Sequence, residues 1–328
     1  MNVGIVIIGR NEGQRLMECL GSLTNGIHSV VYVDSGSIDG SPQRAKDFGV
    51  HVITLDISIP FSAARARNEG LAELQNINPS LEFIQFLDGD CKLCVGWLER
   101  GFIALERDKK LAAVFGKVEE IDPKTSVYNR LCALEWQSPT GKIQNCGVFG
   151  GNSMMRSKAF QSVGGFNTQV IAGEDAELAA RLLLAGYQIE KLDAPMVQHN
   201  ANMTRFGQWW RRSIRSGHAI GQRAHLHGSS ILKDCQRQRI SVLIWGIILP
   251  LIAVVGSMKS AWLGAAGISF YCILALRIWR YRTSTGNNSL EAAIYAAFTV
   301  LSKLPEAIGL LRFWKNQMFN RYRIIEYK

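Results

Sequence analysis

The chain is poor in several residue classes, and each scarcity excludes a class of protein. Charged residues make up 20% of the 328 residues against 47% hydrophobic ones, which excludes a disordered chain and a coiled-coil rod. Proline occurs 8 times against 31 glycines, so a collagen-like fibre is excluded as well. The length leaves room for one large domain with additions or for two modest domains.

Cysteine is also sparse. Seven cysteines are scattered along the chain, whereas a small secreted fold carries an even number of closely spaced cysteines that pair in disulfide bonds. The first residues include no basic segment and only a short apolar run, Val3–Ile8, so we expect no cleaved signal peptide. A reduced, cytosol-facing environment is expected.

Acidic residues are scarce in one part of the chain only. Residues 200–328 hold 4 Asp/Glu against 18 Lys/Arg, whereas residues 1–199 hold 23 against 19. The basic part is also rich in apolar residues, and this combination favours an anionic membrane surface as partner. The sequence has no zinc-finger spacing and no RNA-binding aromatic signature, so no nucleic-acid partner is expected.

The first two hundred residues alternate short apolar runs with helical stretches. This pattern predicts an α/β domain over residues 1–204 with a mostly parallel sheet, in which ligands bind beyond the carboxyl ends of the strands. Polar residues follow three of these runs, at 10–12, 34–36 and 88–90. The predicted strands are Val3–Ile8, Ser29–Val33, Val50–Leu55, Glu82–Leu87, Ala112–Val118 and Gly147–Phe149.

The remainder of the chain has the character of a membrane region. Residues 205–239 predict basic amphipathic helices with tryptophans, which suit the lipid headgroup layer. Residues 240–328 predict a membrane region with spans at about 240–258 and 261–279. By the positive-inside rule the two spans form a hairpin whose two ends both face the cytoplasm. Residues 290–311 contain Lys303 and Glu306, and we interpret them as interfacial or re-entrant, with a third full span as the alternative.

Two carboxylates stand at the end of a predicted strand, in the turn Asp88-Gly89-Asp90. Paired carboxylates suit a hard divalent cation such as Mg²⁺ or Mn²⁺, although a strand-end acidic turn can also be purely structural. His199 follows another predicted strand and would complete such a metal site. The pair Cys91 and Cys94 lacks a second cysteine pair, so neither a zinc site nor a redox site is expected there.

A second acidic motif, Gly173-Glu174-Asp175, precedes a predicted helix. Carboxylates in a first helical turn are favoured by the helix dipole, and that is the structural interpretation. The functional interpretation makes Asp175 a general base that accepts a proton from a hydroxyl group.

The order of the motifs is more specific than any one of them. The acidic motifs above follow Gly9-Arg10-Asn11-Glu12, Val33-Asp34-Ser35-Gly36 and Ala64-Arg65-Ala66-Arg67-Asn68-Glu69, with Gly150-Gly151-Asn152 between the two acidic turns. Over roughly residues 1–205 this series resembles the family 2 glycosyltransferases of the GT-A fold.

The resemblance implies a role for each motif. Glu12 and Asp34 would contact the nucleoside of a sugar-nucleotide donor, and Arg65, Arg67 or Asn68 would lie near its diphosphate. Asp88 and Asp90 would be the family's DXD motif, which holds a divalent metal (Mg²⁺ or Mn²⁺), with His199 as a late metal ligand. Gly151 and Asn152 would form the acceptor-side loop, and Glu174 would bind substrate. Asp175 would be the catalytic base.

The implied function is transfer of one sugar from a nucleotide-diphosphate donor to a hydroxyl group, with inversion of the anomeric centre. A UDP-sugar is the expected donor. The stretch Gln208-Trp209-Trp210-Arg211-Arg212 departs from the Gln-x-x-Arg-Trp motif of processive synthases, which favours single addition. The membrane half favours a lipid-linked acceptor in bacterial polysaccharide assembly, with the enzyme on the cytoplasmic face of the inner membrane. A polyprenyl-phosphate sugar synthase and a non-catalytic, membrane-anchored sugar-nucleotide-binding module remain as alternatives.

Overall fold

The apolar runs near the start of the chain form one half of a sheet. The computed structural model describes residues 2–23 and 29–319, so the last nine residues of the predicted membrane region lie outside the described residues. Four strands pair in parallel in the order β3-β2-β1-β4, and the residues of β2, β1 and β4 are mostly buried. These strands are β1 (Val3–Gly9), β2 (Val30–Asp34), β3 (His51–Thr54) and β4 (Phe83–Asp88).

Helices connect these strands, as the alternating pattern predicts. Ser62 caps α3 because its side chain accepts a hydrogen bond from the backbone N–H of Arg65. Gly70 lets α3 lie directly on the sheet, since a Cβ there would come within 2.4 Å of Val6 and 2.7 Å of Val33. The connecting helices are α1 (Gln14–Gly21), α2 (Ser41–Asp47) and α3 (Ala63–Ile77).

The other half of the sheet is mixed, and within the described residues the whole sheet has nine strands. The order continues from β4 through β8, β6 and β9 to β5, with β7 paired to β9. Only the pair β6–β9 is parallel in this half. The elements are β5 (Cys91–Leu93), α4 (Trp97–Arg107), β6 (Leu111–Glu120), β7 (Gly141–Lys142), β8 (Ser153–Arg156), α6 (Ser157–Ser162), α7 (Glu174–Leu184) and β9 (Gln188–His199), with α5 (Val127–Glu135) following β6 in the chain.

One strand prediction is wrong. Residues 147–149, predicted as a strand, lie in and just after a short 3₁₀ helix, Cys146–Val148, and the strand comes later, at Ser153–Arg156. Asn145 stabilises the 3₁₀ turn because its side chain accepts a hydrogen bond from the backbone N–H of Gly147 at 3.0 Å. A local side-chain cap of this kind competes with strand formation.

The described residues fall into two compact units. Unit 1 comprises residues up to 122 together with 135–202, and unit 2 comprises 123–134 together with 203–319. Unit 1 contains the sheet, whereas unit 2 is helical. Besides most of α5, its helices are α8 (Phe206–His227), α9 (Gln236–Leu243), α10 (Leu249–Lys259), α11 (Ala261–Ser284), α12 (Ser289–Leu301) and α13 (Lys303–Met318), and a π-helical turn, Ile244–Ile248, joins α9 to α10.

Unit 2 includes long apolar helices. Among the described residues, Gln236–Lys259 and Ser289–Met318 are long and apolar enough to cross a membrane, a test that core helices of soluble proteins also pass. The first contains the predicted span 240–258, and the second contains the segment 290–311. The predicted span 261–279 lies in α11. Within Ser289–Met318, Lys303 Nζ lies 2.8 Å from Glu306 Oε2, so these two charges offset each other.

Candidate active site

The register of the parallel strands brings the predicted site residues to one edge of the sheet. Gly9 lies opposite Asp34 and Ile8 lies opposite Asp88, so β1, β2 and β4 end at the same level. Ligands of open α/β sheets bind beyond this edge. The motifs after these strands therefore surround one region of unit 1.

Asp34 organises the loop that follows β2. Its buried carboxylate accepts hydrogen bonds from the backbone N–H groups of Gly36 (3.0 Å) and Ser37 (2.9 Å) and from the hydroxyl of Tyr32 (3.2 Å). Burial, and then the negative charge of Asp34, raise the pKa of Tyr32 above its usual range. Asp34 therefore fixes the loop, and its contact with a nucleoside stays a prediction.

Glu12 follows β1 at the same edge. Its carboxylate lies 2.7 Å from the guanidinium of Arg15, one turn along the chain, and Glu12 is itself largely buried. The preceding Asn11 joins this segment to the loop after β2, because its backbone N–H donates to Ser37 Oγ and its side chain accepts from the N–H of Ile38.

Arg65 and Asn68, both on α3, hold other segments of the protein in place. Arg65 Nη1 donates to the backbone carbonyls of Asp56 (2.9 Å) and Ile59 (2.8 Å), which fixes the loop after β3. The Asn68 side chain donates to the carbonyl of Phe166 and accepts from its N–H, at 2.8 and 2.9 Å. A role for either residue at a diphosphate stays a prediction.

Arg67 is the centre of a buried charge cluster. Nη2 lies 2.8 Å from Asp88 Oδ1 and Nη1 lies 2.8 Å from Glu174 Oε1. Burial disfavours the charged guanidinium, but Asp88, Glu174 and Asp175 outweigh this effect and raise the pKa of Arg67. The side chain predicted near the diphosphate therefore joins the Asp88 turn to the start of α7.

The loop before β8 completes this arrangement. Asn152 accepts a hydrogen bond from the backbone N–H of Asp88 at 2.7 Å, and its Nδ2 lies 3.4 Å from Asp88 Oδ2. Gly151 leaves room for Arg67, since a Cβ at Gly151 would lie 2.1 Å from Nη2. We call Arg67, Asp88, Asn152 and Glu174 the Arg67 cluster.

Asp175 lies next to this cluster, in the first turn of α7. The helix begins after Gly173, which has a φ of 72°. Asp175 Oδ1 accepts a hydrogen bond from the N–H of Ala176 at 2.7 Å, and its carboxylate is half-buried. Its charge contributes to the raised pKa of Arg67. A carboxylate in this position is the kind of group that acts as a general base.

Asp90 belongs to a different group. Its carboxylate lies 3.6 Å from His199 Nε2 and 3.6 Å from Cys91 Sγ. On the other side of the imidazole, Nδ1 lies 3.5 Å from Glu120 Oε2, and the ring of Trp136 packs edge-on at 4.8 Å between centroids. We call Asp90, Cys91, Glu120 and His199 the His199 cluster.

The donor atoms of this cluster fit a metal ion. In the described part of the chain, ligand atoms of Asp90, Cys91 and His199 all lie within 4.8 Å of one another, whereas Asp88 is not in this group. Burial, and then the charges of Asp90 and other carboxylates, raise the pKa of the nearby Cys19 thiol, as expected beside concentrated negative charge. A carboxylate together with an imidazole suits Mn²⁺ better than Mg²⁺, which prefers oxygen ligands.

Sequence analysis missed three of these neighbours. Glu120 and His199 face each other because β6 and β9 pair in parallel, a register between residues that are far apart in the sequence. Trp136 comes from the segment after α5, where the pattern is weak. Cys91 was considered only together with Cys94, although its Sγ lies near Asp90. The acidic end of the apolar strand 112–118 was the one available signal for Glu120.

Two family models match the chain. The model of the glycosyl transferase family 2 matches residues 4–164, which include β1 to β8 and the Asp88 turn. A model described as the N-terminal domain of galactosyltransferase matches residues 132–205, which include α7 and His199.

Curated proteins that are similar in sequence to this chain are also named as glycosyltransferases. The chain is 26% identical over 227 residues to "Glycosyltransferase AglE" of Haloferax volcanii, covering 66% of this chain and 71% of that protein. It is 27% identical over 191 residues to "O-antigen chain rhamnosyltransferase WbaN" of Salmonella anatum, covering 55% of this chain and 59% of that protein. The chain therefore spans somewhat over half to about seven tenths of these relatives.

A solved structure shares the fold. A mannosyltransferase from Pyrobaculum calidifontis, in complex with GDP-Man and Mn²⁺, superposes with a TM-score of 0.57 at 15% identity. The match covers 97% of this chain and 87% of that one. The sheet order, the strand-end motifs and the matching models agree: residues 4–164 match glycosyl transferase family 2, and the chain is a glycosyltransferase with a GT-A-like α/β fold.

Proposed function

We propose that the protein is a metal-dependent, inverting glycosyltransferase that moves one sugar from a nucleotide-diphosphate donor to a hydroxyl group of a lipid-linked acceptor. The observation that carries this proposal is the buried guanidinium of Arg67, which contacts both Asp88 and Glu174 at 2.8 Å. Through it, the turn predicted to hold the donor and the helix predicted to carry the base have fixed positions relative to each other.

The metal is Mn²⁺ in this proposal. Asp90 and His199 would hold it. Asp88, two positions before Asp90, lies at the same edge of the sheet with a third of its side chain exposed. When bound, such a cation stabilises the negative charge that develops on the departing nucleoside diphosphate. The base of the nucleotide is not assigned: UDP is the expectation from sequence, and the solved structure with the same fold holds GDP-Man.

Asp175 is the general base in this proposal. As the acceptor hydroxyl attacks the anomeric carbon, its proton moves to the Asp175 carboxylate. Since the motifs offer no further carboxylate as a covalent nucleophile, a single displacement inverts the anomeric centre.

The acceptor is proposed from unit 2. Its long apolar helices and the excess of basic residues after position 200 suit a membrane whose cytoplasmic surface is anionic. A relative named as an O-antigen chain rhamnosyltransferase supports a role in polysaccharide assembly. A polyprenyl-linked saccharide at the cytoplasmic face of the inner membrane is the acceptor class that this location favours.

The test is a donor screen on the purified full chain in detergent. UDP-, GDP- and dTDP-sugars are each incubated with bacterial lipid extract, with Mn²⁺ or with EDTA, and release of the nucleoside diphosphate is measured. We expect one donor to be turned over only with Mn²⁺ and lipid. Equal turnover with EDTA would overturn the metal, and equal turnover with lipid-free oligosaccharide would overturn the lipid-linked acceptor.

The same screen separates the alternatives. A polyprenyl-phosphate acceptor needs little deprotonation, so a polyprenyl-phosphate sugar synthase would remain active in the Asp175→Asn variant. A non-catalytic module would bind a donor in calorimetry without releasing the diphosphate.

A further inference from the structure

Glu120 is a buried carboxylate that faces the predicted metal ligand. It is the last residue of β6 and pairs in register with His199, the last residue of β9. Its side chain has no solvent exposure, and both carboxylate oxygens accept from the backbone N–H of Ala201, at 3.3 and 3.1 Å. Burying a carboxylate is costly, so its place beside an imidazole requires a physical reason.

The imidazole of His199 lies between two carboxylates. Nε2 is 3.6 Å from Asp90 Oδ2, and Nδ1 is 3.5 Å from Glu120 Oε2. Nδ1 is buried and makes no hydrogen bond of normal length, so a small rotation of the ring would bring it to Glu120. The edge-on ring of Trp136 packs against the imidazole and restricts larger rotations.

A neutral imidazole carries its proton on one nitrogen only, and the other nitrogen is then able to bind a metal. A carboxylate beside Nδ1 accepts that proton in a hydrogen bond and leaves the lone pair on Nε2. Metal-binding histidines are commonly oriented in this way by a carboxylate that does not itself touch the metal.

We propose that Glu120 is a positioning residue: it holds the His199 proton on Nδ1 and directs the Nε2 lone pair towards Asp90, for a divalent cation. This inference rests on the metal site of the proposed function and adds a residue to it. Ala201 fixes Glu120 in turn, through its backbone N–H.

The experiment measures Mn²⁺ binding to the purified full chain by electron paramagnetic resonance, without any substrate. The test variant is Glu120→Gln, which replaces the charged carboxylate by a neutral amide with one accepting oxygen, a weaker acceptor for the His199 Nδ1–H. We expect its Kd for Mn²⁺ to rise ~10- to 100-fold. The control is Glu119→Gln on the exposed face of the same strand, whose Kd should stay within about twofold of the original.

A second pair of variants tests whether Glu120 acts through the histidine. In the His199→Ala background, adding Glu120→Gln should leave the Kd within about twofold, because the group that Glu120 orients is gone. A further ~10-fold loss in that background would overturn the proposal, since Glu120 would then act by its charge alone. Thermal unfolding of each variant, followed by circular dichroism, checks that the loss of binding does not come from misfolding.

The outcomes separate this inference from the proposed function. If the unaltered chain does not bind Mn²⁺, the metal site itself is wrong and Glu120 has nothing to position. If the unaltered chain binds Mn²⁺ and Glu120→Gln binds it equally well, only the role of Glu120 is wrong.

Discussion

The two aspartates of the Asp88-Gly89-Asp90 turn are separated by a single glycine and belong to two clusters of different chemical composition. Asp88 faces a fixed cation, the buried guanidinium of Arg67, which Glu174 also contacts. Asp90 faces an imidazole, which has Glu120 on its other side. The Arg67 cluster contains its own positive charge, whereas the His199 cluster combines two carboxylates with an imidazole and a thiol.

This difference indicates that the same residue type performs two tasks. A carboxylate held by a buried arginine is part of the scaffold, because its charge is already neutralised and its geometry is fixed. A carboxylate beside an imidazole is suited to a cation that comes from solution. We therefore expect changes in the Arg67 cluster to alter stability, and changes in the His199 cluster to alter metal binding.

Asp175 lies next to the Arg67 cluster, and replacing it tests whether its carboxylate acts in catalysis or only stabilises the fold. Replacing Asp175 by Asn removes the proton acceptor but keeps the shape, so turnover should fall ~10²- to 10⁴-fold. Release of nucleoside diphosphate from the donor found in the screen measures this, and donor binding by calorimetry should stay largely unchanged. Asp193→Asn, on an exposed carboxylate of β9, is the matched control and should retain full turnover. Weak donor binding in Asp175→Asn would instead assign Asp175 to the scaffold or the metal.

Arg67→Met is the strongest test of the scaffold. It removes the buried guanidinium that Glu174 contacts, and loss of one member of a buried pair costs about 3–5 kcal/mol. Chemical unfolding of the purified chain, followed by tryptophan fluorescence, measures the change. Adding Glu174→Gln should recover part of the loss, because the uncompensated charge is removed.

The control for this prediction is Arg107→Met, at a side chain that is 70% exposed and 3.9 Å from Glu190. It should change stability by less than about 0.5 kcal/mol. If Arg67→Met were equally mild, the guanidinium would not be the centre of the scaffold.

Much of the fold and the position of the site could be predicted from the sequence. The apolar runs gave β1 to β4, since local periodicity is enough to recognise buried strands. Because parallel strands end at one edge, the residues after them were correctly brought together at Asp34 and Asp88. The resemblance to family 2 is confirmed by the family model.

The partners of the site residues could not be predicted, because they depend on contacts between distant segments. Arg67 and Glu174 are 107 positions apart, and no local pattern indicates that they form an ion pair. Asp34, Arg65 and Asn68 were expected to face substrate, but each has hydrogen bonds to backbone groups of the protein. The misplaced strand at 147–149 has a local cause, the Asn145 cap.

Metal addition and removal should separate the two clusters directly. Mn²⁺ at about 100 times its Kd should stabilise the folded chain by about 2.7 kcal/mol, since a ligand of the folded state alone stabilises it by mass action. Thermal unfolding with Mn²⁺ and with EDTA measures this. The shift should be much smaller in His199→Ala and should persist in Glu174→Gln, whose side chain contacts Arg67. A shift that survives in His199→Ala would place the cation elsewhere.

The smallest predicted effect compares two adjacent glycines. A Cβ at Gly151 would lie 2.1 Å from Arg67 Nη2 and 2.8 Å from Cζ, whereas a Cβ at Gly150 meets nothing within 4 Å. Arg67 has little freedom to move, because Asp88 and Glu174 both hold it. Gly151→Ala should therefore destabilise the chain by about 1–3 kcal/mol in chemical unfolding, and Gly150→Ala should change stability by less than about 0.5 kcal/mol. Equal stabilities of the two variants would mean that Arg67 moves aside freely, and the contrast between a fixed cluster and a metal-binding one would then lose its basis.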